Sequence, residues 1–306
     1  MKVAVTGGSG FIGSHVVDKL MDAGHYVRVL DSKSPHREDV EWVDCDITRL
    51  SQVAPGVAGC DAVFHLAAMA NVNDIAAAPA ESVELNVLGT AMLLEASRLG
   101  GVKHFILAST VWVYEATEAL EVDESTPLRP DGVTHLYMAE KISSEMLVQG
   151  YSQLYNLPAT VLRYGIPYGP RMREQLVMPI FIKKALNGEP MTVAGDGLQY
   201  RNFIYVEDLA DAHVRVLERG ATGTFNLEGP REVAIIEVAQ AVHNRIASSA
   251  GIVKTEARSG DYRGRVVSRQ RARDVLDWEP RTEFEDGFER TLKYFLHKWS
   301  HQLQPA

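Results

Sequence analysis

The stretch TGGSGFIGSHVV, residues 6–17, decides the fold. It joins a short apolar run, KVAV at 2–5, to an amphipathic stretch over 12–23. Gly7, Gly10 and Gly13 stand in it as GxxGxxG. Glycines at such a junction let the backbone approach a pyrophosphate. The helix expected over 12–23 offers free N–H groups and a positive dipole end, with Phe11 and Ile12 at the junction among the cofactor-binding candidates. Gly13 also permits close packing of that helix on the strand. Spaced glycines alone mark any tight turn, but a strand-to-helix junction is where the fingerprint of a dinucleotide site belongs.

Asp31 ends the next apolar run, YVRVLD at 26–31, eighteen residues beyond Gly13. A carboxylate there accepts from the ribose hydroxyls of NAD and repels a 2′-phosphate. Its plainer reading is a turn aspartate, given the Ser32 that follows. Lys33 is the nearby feature that would favour NADP; the balance of charges points to NAD.

Further short apolar runs, AVFHLA, HFILAS and ATVLRY, alternate with amphipathic stretches at 80–100 and 135–155. Near-continuous apolar strands separated by helices build a parallel sheet covered on both faces. The expectation is an α/β fold, a Rossmann-type doubly wound parallel sheet. After about residue 166 the rhythm changes at GIPYGPRMREQ, rich in Gly, Pro and Arg. A smaller, discontinuous mixed α/β C-terminal substrate lobe is expected from about 167–202 and 231–306. Residues 1–166 and about 203–230 would form the NAD-binding domain.

The 306 residues are 46% hydrophobic and 23% charged, an ordinary globular composition. A net charge of −9 speaks against a nucleic-acid surface. Cys45 and Cys60 form no CxxC and no Cys/His cluster, so no metal is expected. The N-terminal apolar run is broken by glycines too early for a secretory signal, and no window approaches the ~20 apolar residues of a spanning helix. A cytoplasmic protein without membrane partners is expected.

HLYMAEKISSE, residues 135–145, places Tyr137 and Lys141 four apart on one helical face. An ammonium beside a phenol favours the phenolate and lowers its pKa from about 10. That makes Tyr137 a candidate general base. By itself such a pair is more often an ordinary helix surface, and the neighbouring motifs change the weighting.

Those motifs are TGGSGFIGSH, HLAAMANV, ELNVLGT, STVWVY, YMAEK, LRYGIPYGPR, RNFIYVEDLADAH and RSGD, in that order. With them the chain resembles the extended short-chain dehydrogenase/reductase family, in its NAD-dependent nucleotide-sugar epimerase/dehydratase branch. The likeness runs almost end to end. It implies that Asp46 and Ile47 meet the adenine, that Leu66, Ala67 and Ala68 line the cofactor, that Asn86 supports that wall, and that Tyr164 lies near the nicotinamide. For Ile47 and the alanines, composition alone would favour plain core packing. The resemblance further implies Thr110, with Ser109 beside it, as the hydroxyl that bonds the reacting sugar oxygen. Arg201 and Arg258 would hold substrate phosphates, Asp261 the ribose of the substrate nucleotide, and Val193 the base through its backbone.

Relatives of this branch begin alike, with Tyr137-type proton removal and hydride transfer giving a 4-keto sugar. Dehydratases usually carry Asp-Glu after the threonine, and decarboxylases a Glu close by. Here those positions are Val111 and Trp112. The expected activity is therefore 4-epimerisation of a nucleotide sugar, a UDP-sugar first, with NAD regenerated in place. Glu115 or Glu140 as a displaced acid keeps a dehydratase or decarboxylase open. A non-catalytic cofactor-sensing protein and an NADP-linked ketone reductase are further alternatives; the Tyr/Lys pair opposes the first, Asp31 and the phosphate arginines the second. Trp112, Glu115, Met138, Ile166, Leu176 and Arg265 depart from the usual pattern and suggest an altered sugar pocket. Pairing of helices 80–100 and 135–155 into a homodimer is expected by the same resemblance.

Overall fold

The computed structural model describes residues 1–246, 251–257 and 264–300. Two compact units emerge: Met1–Tyr164 with Ala210–Leu227 and Val267–Trp278, and Gly165–Leu209 with Glu228–Val266 and the residues from Glu279 onward. The chain thus returns to the first unit inside a helix, and again over a short segment near 270.

The first unit is built on seven parallel strands: β1 Lys2–Thr6, β2 Tyr26–Leu30, β3 Glu41–Val43, β4 Ala62–His65, β5 His104–Thr110, β6 Ala159–Tyr164 and β7 Gly223–Leu227. Their order is β7-β6-β5-β4-β1-β2-β3, with parallel pairing throughout. Every residue of β4, β5 and β6 is buried, which is why these segments read as unbroken apolar runs rather than alternating ones. The strand order reverses between β1 and β4. Ligands of such sheets sit beyond the carboxyl ends of the strands at that reversal.

Helices α1 Phe11–Asp22, α2 Leu50–Val57, α3 Gly89–Leu99 and α4 Leu136–Tyr155 cover the sheet. Val53, Val57, Leu93, Leu94 and Val148 of α2, α3 and α4 share one core with Ala4, Val63, Phe105 and Leu107. Phe64, the neighbour of Val63 in β4, instead meets His213 of α5, Val206–Arg219. Burying each such large side chain contributes about 1.5–3 kcal/mol.

The expected helix over 80–100 is not uniform. It runs α over Pro79–Val83, π over Glu84–Leu88 and α again over α3. A π-turn of this kind often marks a functional position. Here it carries Asn86, whose carbonyl accepts from the hydroxyls of Thr90 and Ser144 at 2.6 and 3.1 Å.

In the second unit Ile166–Tyr168 pairs parallel with Phe203–Tyr205, Met191–Ala194 parallel with Ile252–Thr255, and Tyr200–Arg201 antiparallel with Val233–Ala234. Helices Val177–Leu186, Ile235–Ile246 and Phe284–Trp299 accompany them. Tyr168, Phe203, Tyr205 and Phe284 form an aromatic core with ring centroids 5.6–6.0 Å apart. Among the described residues no helix is long and apolar enough to cross a membrane.

Candidate active site

The glycine loop closes around its own backbone. Gly7 has φ of +69°, and a Cβ there would stand 2.6 Å from the backbone N of Ala67. A Cβ on Gly13 would overlap the Gly7 carbonyl. Gly10 donates to Gly7 O at 3.0 Å and serves as the N-cap of α1 without any side-chain cap; no acidic residue stands in the first turn. The start of α1, at Phe11 and Ile12, therefore carries no side-chain cap and no negative charge, an arrangement that suits an anion.

Asp31 follows β2 directly. Its carboxylate accepts from the N–H of Ser9 at 3.0 Å and of Lys33 at 3.0 Å, and the Ser9 hydroxyl donates to Lys33 O at 2.6 Å. The acid is thus held beside the glycine loop. Asp46 is spent locally: it accepts from the N–H and hydroxyl of Thr48 and from Arg49. Those bonds, the Thr48 hydroxyl foremost, hold its carboxyl below the usual range. Ile47 is buried, and Gly89 leaves the room its Cδ1 occupies.

The wall after β4 is fixed by a directional chain of bonds. Ala67 N–H donates to the Thr6 hydroxyl at 3.2 Å, and Thr6 donates to Nδ1 of His65 at 2.9 Å. Nε2 of His65 then donates to Thr90 at 2.9 Å, and Thr90 donates to Asn86 O. Only one tautomer of His65 serves this chain, since Thr90 must keep its proton for the carbonyl. Burial, with Lys141 nearby, drives the His65 imidazole down to about 3. Asn86 completes the wall. It accepts from Met69 N–H and donates to Met69 O, both at 2.8 Å, and donates to Glu140 at 2.6 Å. Leu66, Ala67 and Ala68 are held between these anchors.

Lys141 and Tyr137 share a face of α4. The Lys141 ammonium lies 5.7 Å from the centroid of the Tyr137 ring and donates to Ala108 O at 2.9 Å. Burial lowers the ammonium to about 8, against the opposing pull of Glu145 and Glu140. Thr110 ends β5, and its hydroxyl oxygen accepts from Trp112 N–H at 3.2 Å. Trp112 meets the Tyr137 ring edge-on, centroids 6.2 Å apart. The adjacent Ser109 is committed elsewhere, donating to Glu145 at 2.5 Å. Tyr164 bonds His213 Nε2 at 2.6 Å. Burial, reinforced by Tyr137, pushes its phenol well up, so it is unsuited to be a base.

Of the substrate-side residues, Val193 is buried in the second unit, where it pairs with Lys254, and Arg201 donates to Tyr200 O at 2.8 Å. Arg258 and Asp261 lie outside the described residues. Thr6, His65, Thr90 and His135 are the site residues that sequence reasoning missed. A lone polar residue ending an apolar strand was the only signal for Thr6 and His65; Thr90 had only its place in the run ELNVLGT at the start of α3, and His135 its place two residues before the tyrosine. Among the described residues no cluster of His, Cys, Asp and Glu is gathered for a metal.

The NAD dependent epimerase/dehydratase family matches residues 3–227. The chain belongs to that family. The members it is similar to differ in activity. UDP-glucuronic acid decarboxylase 2 of Arabidopsis thaliana is 32% identical over 307 residues, 97% of this chain and 69% of that one. UDP-glucose 4-epimerase of Mycolicibacterium smegmatis is 31% identical over 319 residues, 97% and 99%. Among solved structures, UDP-glucose 4-epimerase of Thermotoga maritima with UDP-glucose superposes at a TM-score of 0.89, with 32% identity and 97% and 99% coverage. UDP-glucuronic acid 4-epimerase of Bacillus cereus, with UDP-glucuronic acid and NAD, superposes at 0.88, with 27% identity and 97% and 100% coverage. This epimerase/dehydratase-family enzyme is NAD-dependent, and its own residues fit the cofactor: a loop that a Cβ would fill, an uncapped helix start and a held Asp31.

Proposed function

We propose that the protein is a nucleotide-sugar 4-epimerase, taking a UDP-sugar through a transient 4-keto form. The observation that carries this reading is the absence, among the described residues, of an available acid beside Thr110. Val111 and Trp112 stand where elimination or decarboxylation would call for one. Glu140 is buried against Ser82 and Asn86, at 2.5 and 2.6 Å, and Glu115 is bonded to His135.

Tyr137 takes the proton of the C4 hydroxyl and later returns it. Lys141 favours the phenolate by its charge and orients the cofactor ribose. Thr110 donates to the reacting sugar oxygen. Gly7, Gly10, Phe11, Ile12, Gly13, Asp31, Asp46, Ile47, Leu66, Ala67, Ala68, Asn86 and Tyr164 surround NAD, which when bound takes hydride from a sugar carbon and gives it back. Val193, Arg201, Arg258 and Asp261 hold the substrate nucleotide, the arginines by bidentate contact with phosphate.

The test incubates the purified protein with UDP-, dTDP- and GDP-sugars and follows the products by NMR and mass spectrometry. A C4-inverted sugar of unchanged mass supports the reading. Loss of water or of carbon dioxide replaces it by a dehydratase or decarboxylase, the latter favoured by the Arabidopsis relative. Turnover surviving Tyr137→Phe removes the base assignment. Exposed Leu88, Leu99, Met146 and Leu154 support homodimer formation through the helices of 79–99 and 136–155, which light scattering decides.

A further inference from the structure

Three side chains beside Tyr137 have no part in the roles above: Trp112, Glu115 and His135. His135 is the N-cap of α4, extended at φ −152° and ψ 156°. Its Nδ1 accepts the N–H of Met138 at 3.1 Å. In the neutral ring the proton then sits on Nε2, and Nε2 points at a Glu115 carboxylate oxygen 3.1 Å away. The pair is partly buried, at 19% and 26% exposure. The His135 ring lies within 15° of parallel to the Tyr137 ring, centroids 6.4 Å apart. Trp112 meets His135 edge-on at 5.1 Å, as it meets Tyr137 at 6.2 Å.

Helix N-caps are normally Ser, Thr, Asp or Asn, which satisfy the same N–H with a smaller group. Capping alone therefore does not explain a histidine here. What histidine adds is a flat ring and a second nitrogen, and both are used: one against the tyrosine, the other against Glu115.

We propose that His135 is a positioning residue for Tyr137. It is clamped between the α4 backbone and Glu115, and its ring, with Trp112, holds the phenol in the orientation that faces Lys141. Of the ionisable groups, Glu115 from the turn after β5 bonds it and Tyr137 from α4 stacks against it; Lys141 lies 5.7 Å from the Tyr137 ring, and Arg129 and Asp131 in the preceding segment pair with each other.

This rests on Tyr137 being the proton carrier, so the test reads the tyrosine directly as well as turnover. Protein labelled at tyrosine Cζ is titrated by carbon-13 NMR, with Tyr137→Phe identifying the resonance. His135→Asn keeps a strong N-cap but removes the ring and the Glu115 bond. The phenol titration is expected to move up on the order of one unit, the scale on which surroundings shift tyrosines. Turnover is expected to fall on the order of 10²-fold with KM little changed, as for a misplaced reacting group. Glu115→Leu, which leaves the cap untouched, should reproduce the shift, and Glu115→Gln, which keeps an acceptor for Nε2–H, should restore most of it. A phenol titration that is unchanged or lowered in both His135→Asn and Glu115→Leu overturns the proposal. Turnover that survives Tyr137→Phe overturns the base assignment instead and leaves the NMR answer standing.

Discussion

The Asn86 amide donates to the Glu140 carboxylate at 2.6 Å, joining the segment after β4 to the helix of Tyr137 and Lys141. Glu140 is 1% exposed, and its other oxygen takes the Ser82 hydroxyl at 2.5 Å. Both oxygens face donors, so only an acceptor at each position satisfies the pair.

Glu140→Gln places an amide NH2 against one of those donors. A buried donor left unsatisfied costs about 1–3 kcal/mol. Because Asn86 also clamps Met69, the loss should reach the loop that carries Leu66, Ala67 and Ala68. Urea unfolding should therefore show lowered stability, and fluorescence titration weaker NADH binding. Full stability with unaltered NADH binding would show that Glu140 does not anchor the wall.

Lys141 gives a pH signature. Its folded value is about 8 against 10.5 for an ordinary lysine, burial being the main cause. Between those values the unfolded chain still holds a proton that the folded protein has released. Unfolding there takes up a proton, so stability rises with pH across the window. Below it both states are charged and the full penalty of burying the ammonium, about 3 kcal/mol at 1.36 kcal/mol per unit, is present. The stability of the wild type relative to Lys141→Met should climb from about pH 8 to 10.5 and be level below. A difference that stays flat across the window means the ammonium is not held at a raised cost.

What was legible in the sequence were the local signals. Gly7, Gly10 and Gly13 mark one turn, Asp31 one strand end, and Tyr137 and Lys141 one helical face; each needs only neighbours within a few residues. The expected doubly wound parallel sheet is present for the same reason, since a strand buried on both faces announces itself by composition. Thr6, His65 and Thr90 were silent because their bonds join residues 59 and 25 apart. Glu140 was open as a displaced acid until Ser82 and Asn86, 58 and 54 residues away, were seen to occupy it. The π-turn at Asn86 was hidden too, because 79–99 carries a helical apolar pattern throughout.

Arg163 and Glu145 form a buried, two-pronged ion pair at 3.0 and 2.6 Å. Burial alone would lower the guanidinium, but Glu145 more than offsets it and holds it above the usual range. Arg163 also donates to the Tyr114 hydroxyl at 2.5 Å, and Tyr114 donates to Asn226 at 2.9 Å, so β6 and β7 are tied through it. Glu145→Leu strands a buried cation and should cost about 3–5 kcal/mol, whereas the double variant Glu145→Leu with Arg163→Met should recover most of that. Denaturant midpoints for the two single variants and the double variant measure the coupling. Additive losses would mean that the charges do not depend on each other.

The proposed role of Asp31 is to set the cofactor choice by charge. Its carboxylate is already oriented by the N–H groups of Ser9 and Lys33, so in that role it would meet a ribose without reorganising. Hydrogen bonds to a charged group contribute about 1.5–3 kcal/mol, and 1.4 kcal/mol is tenfold in affinity. Asp31→Asn keeps the size, loses the charge and leaves the Lys33 ammonium unopposed at that edge. NADH affinity should fall about 10–100-fold by fluorescence titration. NADPH affinity should rise, because the repulsion of its 2′-phosphate is gone. If both affinities fall together, Asp31 shapes the glycine loop through Ser9 rather than choosing between the two ribose forms.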